Sequence, residues 1–219
     1  MPSSNRSFHN FGGIAFVSAG ILFFAKGLLS LSVPSPPSDG TELLKWLSAW
    51  KFSIAMSNEI LFFAAICLAP SVFVLYRILS PTDKTKTMIG CGIIAVTIPV
   101  LAMIDVVQGR LVYPVYHIAL SPDVLKLVLS IYYGGMHAAS LLLGLAILVL
   151  SFVLRRSIFG KPAAYFGFVA GVFAFIGAYP WLVGPVLDFV SQCLFASWLA
   201  TIGIRIIVKT GPQATKELH

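Results

Sequence analysis

Lys26 and Glu59 are the residues of this 219-residue chain best placed to do chemistry, because each is ionisable and each stands inside a long apolar run. A charge there is costly unless it is paired or wetted. At about 1.5 Å of rise per helical residue, Glu59 falls roughly 12 Å beyond Lys51, and Lys26 roughly 11 Å from the end of its own run. Equal depth makes a Lys26–Glu59 ion pair the simplest expectation, a clasp that lowers the cost of burying either charge. Left without a base, Glu59 would instead be a general acid, a proton carrier or the anchor of a cationic ligand, with Asn58 beside it as a hydrogen-bonding group.

Other polar residues recur at helical spacing. Asp105 and Gln108 are three apart and Asp188 and Gln192 four apart, so each pair shares one helix face. Asp188 also suits the first turn of a helix, where the dipole favours an acid. Ser130, Tyr133, His137 and Ser140 form a stripe, with Tyr133 and His137 on one face. A buried His137 is expected to hydrogen-bond a neighbouring helix. Paired haem ligation would need a second buried His, and His117 belongs to an outer loop, so no haem or other cofactor is expected. The candidate ligand-binding residues are therefore Lys26, Asn58, Glu59, Asp105, Gln108, Tyr133, His137, Asp188 and Gln192, and the candidate catalytic acids are Glu59 and Asp105.

The elements that carry them are apolar. The chain is 58% hydrophobic and 11% charged, with a mean hydropathy of +0.92, whereas a soluble domain has about a quarter of its residues charged. Runs able to cross a bilayer, which needs about 20 apolar residues each, fall near 11–33, 53–76, 88–109, 127–153, 163–184 and 187–208. The expected fold is an all-α polytopic transmembrane bundle of six spans in a single domain, 1–219. Arg6, Arg77, Lys84, Lys86, Arg155, Arg156, Lys161, Arg205, Lys209 and Lys216 fall on one side of these spans, against Lys45, Lys51, Arg110 and Lys126 on the other. The positive-inside rule makes the richer side, with both termini, cytoplasmic. The net charge of +7 is thus read as topology, with no nucleic-acid partner. The first run lacks a small-residue cleavage site and is read as a retained span.

Local signals refine this outline. Ser121-Pro122-Asp123 marks a helix start through a capping hydroxyl, a first-turn Pro and a dipole-matched acid. Leu43, Trp46, Leu47 and Trp50 predict a short interfacial helix ahead of span two. Trp46, Trp50, Tyr113, Tyr116, Tyr132, Tyr133, Tyr179 and Trp181 are expected to form an interfacial belt. Pro70 and Pro99 predict kinks in spans two and three. A tight turn near Pro185 is expected between spans five and six, and Gly167, Ala170, Gly171, Ala174 and Ala178 give span five a close-packing face. Phe11-Gly12-Gly13 with Ser18 parallels Tyr133-Gly134-Gly135 with Ser140, as an inverted repeat would. Cys67, Cys91 and Cys193 stand singly, and no metal site is expected.

The run Trp198-Leu-Ala-Thr-Ile-Gly-Ile-Arg205, the run Leu68-Ala-Pro-Ser-Val-Phe-Val-Leu-Tyr76-Arg77 and the six-span length resemble a family of bacterial six-helix membrane proteins of unknown function. That resemblance implies a bacterial inner-membrane location and brings no catalytic residues. Asn58-Glu59 with a later acid such as Asp188 is also similar to membrane-bound terpene cyclases, although the aromatic residue those enzymes place before the acid is absent. The expected role is a lipid- or small-molecule-binding or accessory protein with an outward-facing polar cavity, whose partners are the bilayer, an amphiphilic ligand or another membrane subunit. An intramembrane acid catalyst on a lipid or isoprenoid, and a proton- or ion-coupled transporter, are the alternatives.

Overall fold

The computed structural model describes residues 3–113, 115–116, 118 and 120–210, with side chains from 6 to 209. His117 and Lys216 lie outside the described residues. Six helices follow one another: α1 (Ser3–Ser32), α2 (Gly40–Leu79), α3 (Lys84–Val112), α4 (Pro122–Leu154), α5 (Gly160–Gly177) and α6 (Pro180–Thr210). Each is long and apolar enough to cross a membrane. Their outer surface carries side chains such as Ile21, Phe63, Phe73, Met103 and Val172 in exposed positions, an arrangement that suits lipid and not water.

Each helix packs on its neighbours in sequence, and α6 closes back on α1, so the six form a ring. Short connections alternate the helix directions. The α1–α2, α3–α4 and α5–α6 connections therefore gather at one end of the ring, with the chain ends and the α2–α3 and α4–α5 connections at the other. Toward the chain ends the ring is solid: Phe16, Leu68, Leu75, Leu79, Leu150, Leu154, Phe159 and Trp198 are fully or almost fully buried.

Lipid tails are as apolar as leucine, so helices associate in a bilayer chiefly through close packing. The seams show how. A side-chain carbon at Gly203 would meet the Gly13 carbonyl oxygen at 2.6 Å, and one at Gly20 would meet the Ala196 carbonyl oxygen at 2.7 Å. Only glycine permits α1 and α6 to come so near. Every buried residue of α5 is Ala or Gly, including Gly167, Ala170, Gly171 and Ala174 of the small-residue face read from the sequence. In the two glycine pairs of the expected repeat, Gly12, Gly13 and Gly135 sit in helix contacts, whereas nothing approaches Gly134.

Helix starts follow local chemistry. The Asp39 carboxylate accepts hydrogen bonds from the Thr41 and Glu42 amides at 2.9 and 3.0 Å, Asp83 accepts from the Lys86 amide at 3.0 Å, and Ser121 accepts from the Val124 amide at 3.4 Å. Such caps satisfy first-turn amides that have no partner within the helix. Two local expectations need correcting. The interfacial helix is not separate: α2 runs unbroken for 40 residues, about 60 Å, because Leu43, Trp46 and Leu47 pack on Leu111, Leu125 and Leu129 and hold the first turns in line. Likewise α5 stops at Gly177 and the turn is at Ala178–Tyr179. The break foreseen at Pro185 falls inside α6, where Gly184 takes φ 80° and ψ 168°, after one helical turn from Pro180. A positive φ of that kind suits glycine alone.

Candidate functional site

Above the solid half, the ring encloses a cavity of about 580 Å³ at the end bearing the α1–α2, α3–α4 and α5–α6 connections. Helix α1 contributes Phe23, Lys26 and Ser30; α2 contributes Trp46 and Ser57; α3 contributes Gln108. Helix α4 gives Tyr132, Tyr133, Met136, His137 and Ser140, and α6 gives Asp188, Gln192 and Phe195. The lining is mostly apolar with a few convergent polar groups, the usual composition of a small-molecule site.

The polar groups are ordered by hydrogen bonds. Lys26, buried to 5% exposure, donates from Nζ to Gln192 Oε1 at 3.4 Å, and Gln192 Nε2 donates to Asp188 Oδ2 at 2.8 Å. An ammonium and a carboxylate are thus joined through one amide. Gly27 leaves room for this arrangement, since a side-chain carbon there would stand 3.3 Å from Gln192 Oε1. Across the ring, His137 Nδ1 lies 2.7 Å from the Ala178 carbonyl oxygen. A carbonyl can only accept, so Nδ1 carries the proton. The His137 ring also packs on Tyr179 and Trp181, with centroids 4.7 and 5.6 Å away. Together these contacts pin the α5–α6 turn to α4. Ser30 and Ser57 share a 3.5 Å hydrogen bond that ties α1 to α2.

Of the residues proposed from sequence, Lys26, Gln108, Tyr133, His137, Asp188 and Gln192 line the cavity, whereas Asn58, Glu59 and Asp105 do not. The expected Lys26–Glu59 pair does not form: Glu59 accepts instead from the Tyr113 hydroxyl at 2.8 Å. The reason is azimuth. Ser57 faces α1, and Glu59, two residues on, is turned about 200° around a helix of 3.6 residues per turn. Asn58 and Asp105 are buried outside the cavity lining, with Asn58 against Gly109 of α3.

The stripe on α4 divides as well. Tyr133, His137 and Ser140 line the cavity, but Ser130 is exposed away from it. Tyr132 and Tyr133 also leave the expected aromatic belt. They turn inward with their rings 5.2 Å apart, while Tyr116 and Trp181 stay exposed. Sequence reading passed over Tyr132, Trp46, Ser30 and Ser57 as cavity residues. The spacing of Tyr132, Met136, Ala139 and Leu143, a second inward row on α4, was the available signal for the first of them.

Compared with known proteins, the chain matches no family model, and no curated protein or solved structure is detectably similar to it. Fold and site define its class directly: a multi-pass membrane protein whose ring of six helices closes around a mostly apolar cavity with a few convergent polar groups.

Proposed function

We propose that the protein binds a small amphiphilic ligand, with the polar head beside Lys26 and Gln192 and the apolar part against Phe23, Leu101, Leu143 and Phe195. The observation that carries this reading is the cavity itself, about 580 Å³ and walled by all six helices, with one buried ammonium whose carboxylate partner is an amide away. Ligand sites of this size commonly enclose most of a drug-sized molecule. An anionic head could take the place of the Gln192 oxygen at Lys26 without stranding Asp188, which keeps the Gln192 amide.

The bias of Lys and Arg toward the chain ends supports a cytoplasmic location for both termini, so the cavity would open on the non-cytoplasmic side; the bacterial inner membrane is the location implied by the resemblance to bacterial six-helix membrane proteins. Binding is favoured over acid catalysis because neither Glu59 nor Asp105 lines the cavity, and its one carboxylate, Asp188, is engaged by Gln192. The buried core of Leu75, Leu79, Leu150 and Trp198 beneath the cavity favours binding over transport.

A thermal-shift screen of the detergent-purified protein against carboxylate-, phosphate- and amine-headed amphiphiles tests this reading. A stabilising ligand should lose its effect in Lys26→Met and in the cavity-filling Ser140→Phe, and keep it in Glu59→Gln. If Glu59→Gln alone loses the response, the site is elsewhere.

A further inference from the structure

The cavity holds two opposite charges apart. Lys26 of α1 and Asp188 of α6 both line it, yet the ion pairs among the described residues are Lys45–Glu42 and Lys86–Asp83, and neither involves them. The Lys26 ammonium donates to Gln192 Oε1 at 3.4 Å, and Gln192 Nε2 donates to Asp188 Oδ2 at 2.8 Å. Asp188 is still near enough for its charge to act on Lys26, Tyr132 and Tyr133.

Both charges have capacity to spare. An ammonium carries three donors, and the contact Lys26 makes is longer than the usual charge-assisted bond of about 2.8 Å. Gln192 occupies Asp188 Oδ2, while Oδ1 lies toward Gly177, 3.7 Å from where a side-chain carbon would stand there. Gly177 also lines the cavity, so the second carboxylate oxygen sits on the cavity wall.

The wall is electrically balanced. Lys26 and Asp188 are the only Lys, Arg, Asp or Glu side chains among its described lining residues. A guest bearing one net charge would leave that charge uncompensated in a mostly apolar chamber, which is costly. An uncharged guest avoids that cost but leaves Lys26 and Asp188 to the one amide between them. A guest with one positive and one negative group serves both and keeps the total at zero. Gln192 already does this with partial charges, presenting the negative end of its amide dipole to Lys26 and the positive end to Asp188.

We propose that the cavity selects a zwitterionic amphiphile, with its phosphate or carboxylate in place of Gln192 Oε1 at Lys26 and its ammonium at Asp188 Oδ1. This specificity rests on the cavity being a ligand site. The tail lies against Phe23, Leu101, Leu143 and Phe195, which line the same space.

The test is a melting series on the full chain in dodecyl maltoside, with probes that share one lauryl or lauroyl tail: lysophosphatidylethanolamine as the zwitterion, lysophosphatidic acid as the anion, dodecylamine as the cation and monolaurin as the uncharged head. In wild type the zwitterion should reach its half-maximal shift at a concentration about tenfold or more below that of any other probe. Lys26→Met leaves one negative charge on the wall and should move first place to dodecylamine; Asp188→Asn leaves one positive charge and should move it to lysophosphatidic acid. A pair with a structural role alone would lower both melting temperatures without exchanging the order of the probes, and that result overturns the proposal. If either variant fails to fold, the wild-type order decides. Another probe that equals or outranks the zwitterion in wild type overturns this inference and leaves ligand binding standing. No shift with any probe, or shifts that survive the cavity-filling Ser140→Phe, overturns both.

Discussion

Removing the charges at the two ends of the Lys26–Gln192–Asp188 chain separately and together tests whether that chain holds α1 to α6. The hydrogen bonds of 3.4 and 2.8 Å, with the amide between them, limit the ammonium-to-carboxylate separation to about 8 Å. At an effective dielectric of about 20, two unit charges at that distance attract by about 2 kcal/mol. Lys26→Met forfeits this attraction and leaves Asp188 with Gln192 alone. Asp188→Asn leaves a buried ammonium with only an amide oxygen. Each single variant should therefore lose at least that attraction, about 2 kcal/mol, and the double variant should be less destabilised than the two singles added together by about 2 kcal/mol. Denaturant titration of the purified protein, followed by tryptophan fluorescence, measures all four corners of the cycle. Losses that add within about 0.5 kcal/mol would refute the reasoning, since that is the behaviour of independent sites.

Packing makes a second prediction: Gly203→Ala drives a methyl into the Gly13 carbonyl and the Val17 amide and should destabilise by about 1–3 kcal/mol, whereas Gly92→Ala, with nothing near it, should be neutral or mildly stabilising in the same unfolding assay. For pH, backbone donation from Glu42 holds the Asp39 carboxyl below its ordinary value, and the Lys86 side chain does the same for Asp83. Stability from these caps is complete above about pH 4 and is lost as pH falls through the lower folded values, so acid melting curves should drop more steeply for wild type than for Asp39→Ser. Topology can be read by labelling single cysteines in a variant freed of the native three: Ser35→Cys should react with an impermeant maleimide from outside intact cells and Thr82→Cys should not. The opposite pattern would invert the proposed orientation.

Hydropathy carried the six spans because burial in lipid is a property of composition along the chain, and each of the six helices is long and apolar enough to be read as a span. It failed between α5 and α6 for the same reason. Pro180 to Gly184 is as apolar as the spans it separates, and what ends α5 there is tertiary: His137, some forty residues earlier, caps the Ala178 carbonyl. The site was legible in depth and illegible in azimuth. Rise per residue placed Lys26 and Glu59 at one level, but only the seating of α2 against α1, fixed by contacts such as Ser30–Ser57, decides which way Glu59 points. The pairs Asp105–Gln108 and Asp188–Gln192 were visible as cofacial. That Gln192 joins Asp188 to Lys26, while Gln108 lines the cavity and Asp105 does not, is information held by the ring, not by either helix.

Helix α5 has a consequence for the membrane around it. Its 18 residues reach only about 27 Å, against a hydrocarbon layer of about 30 Å, and they stand between α4 of 33 residues and α6 of 31. The belt that lipid tails must wet is therefore shallow on one flank and deep elsewhere. A span that short is accommodated by local thinning, by snorkelling of its flanking side chains or by association with another protein. Whichever operates, the demand falls on one flank of the ring, where a single turn was cut short.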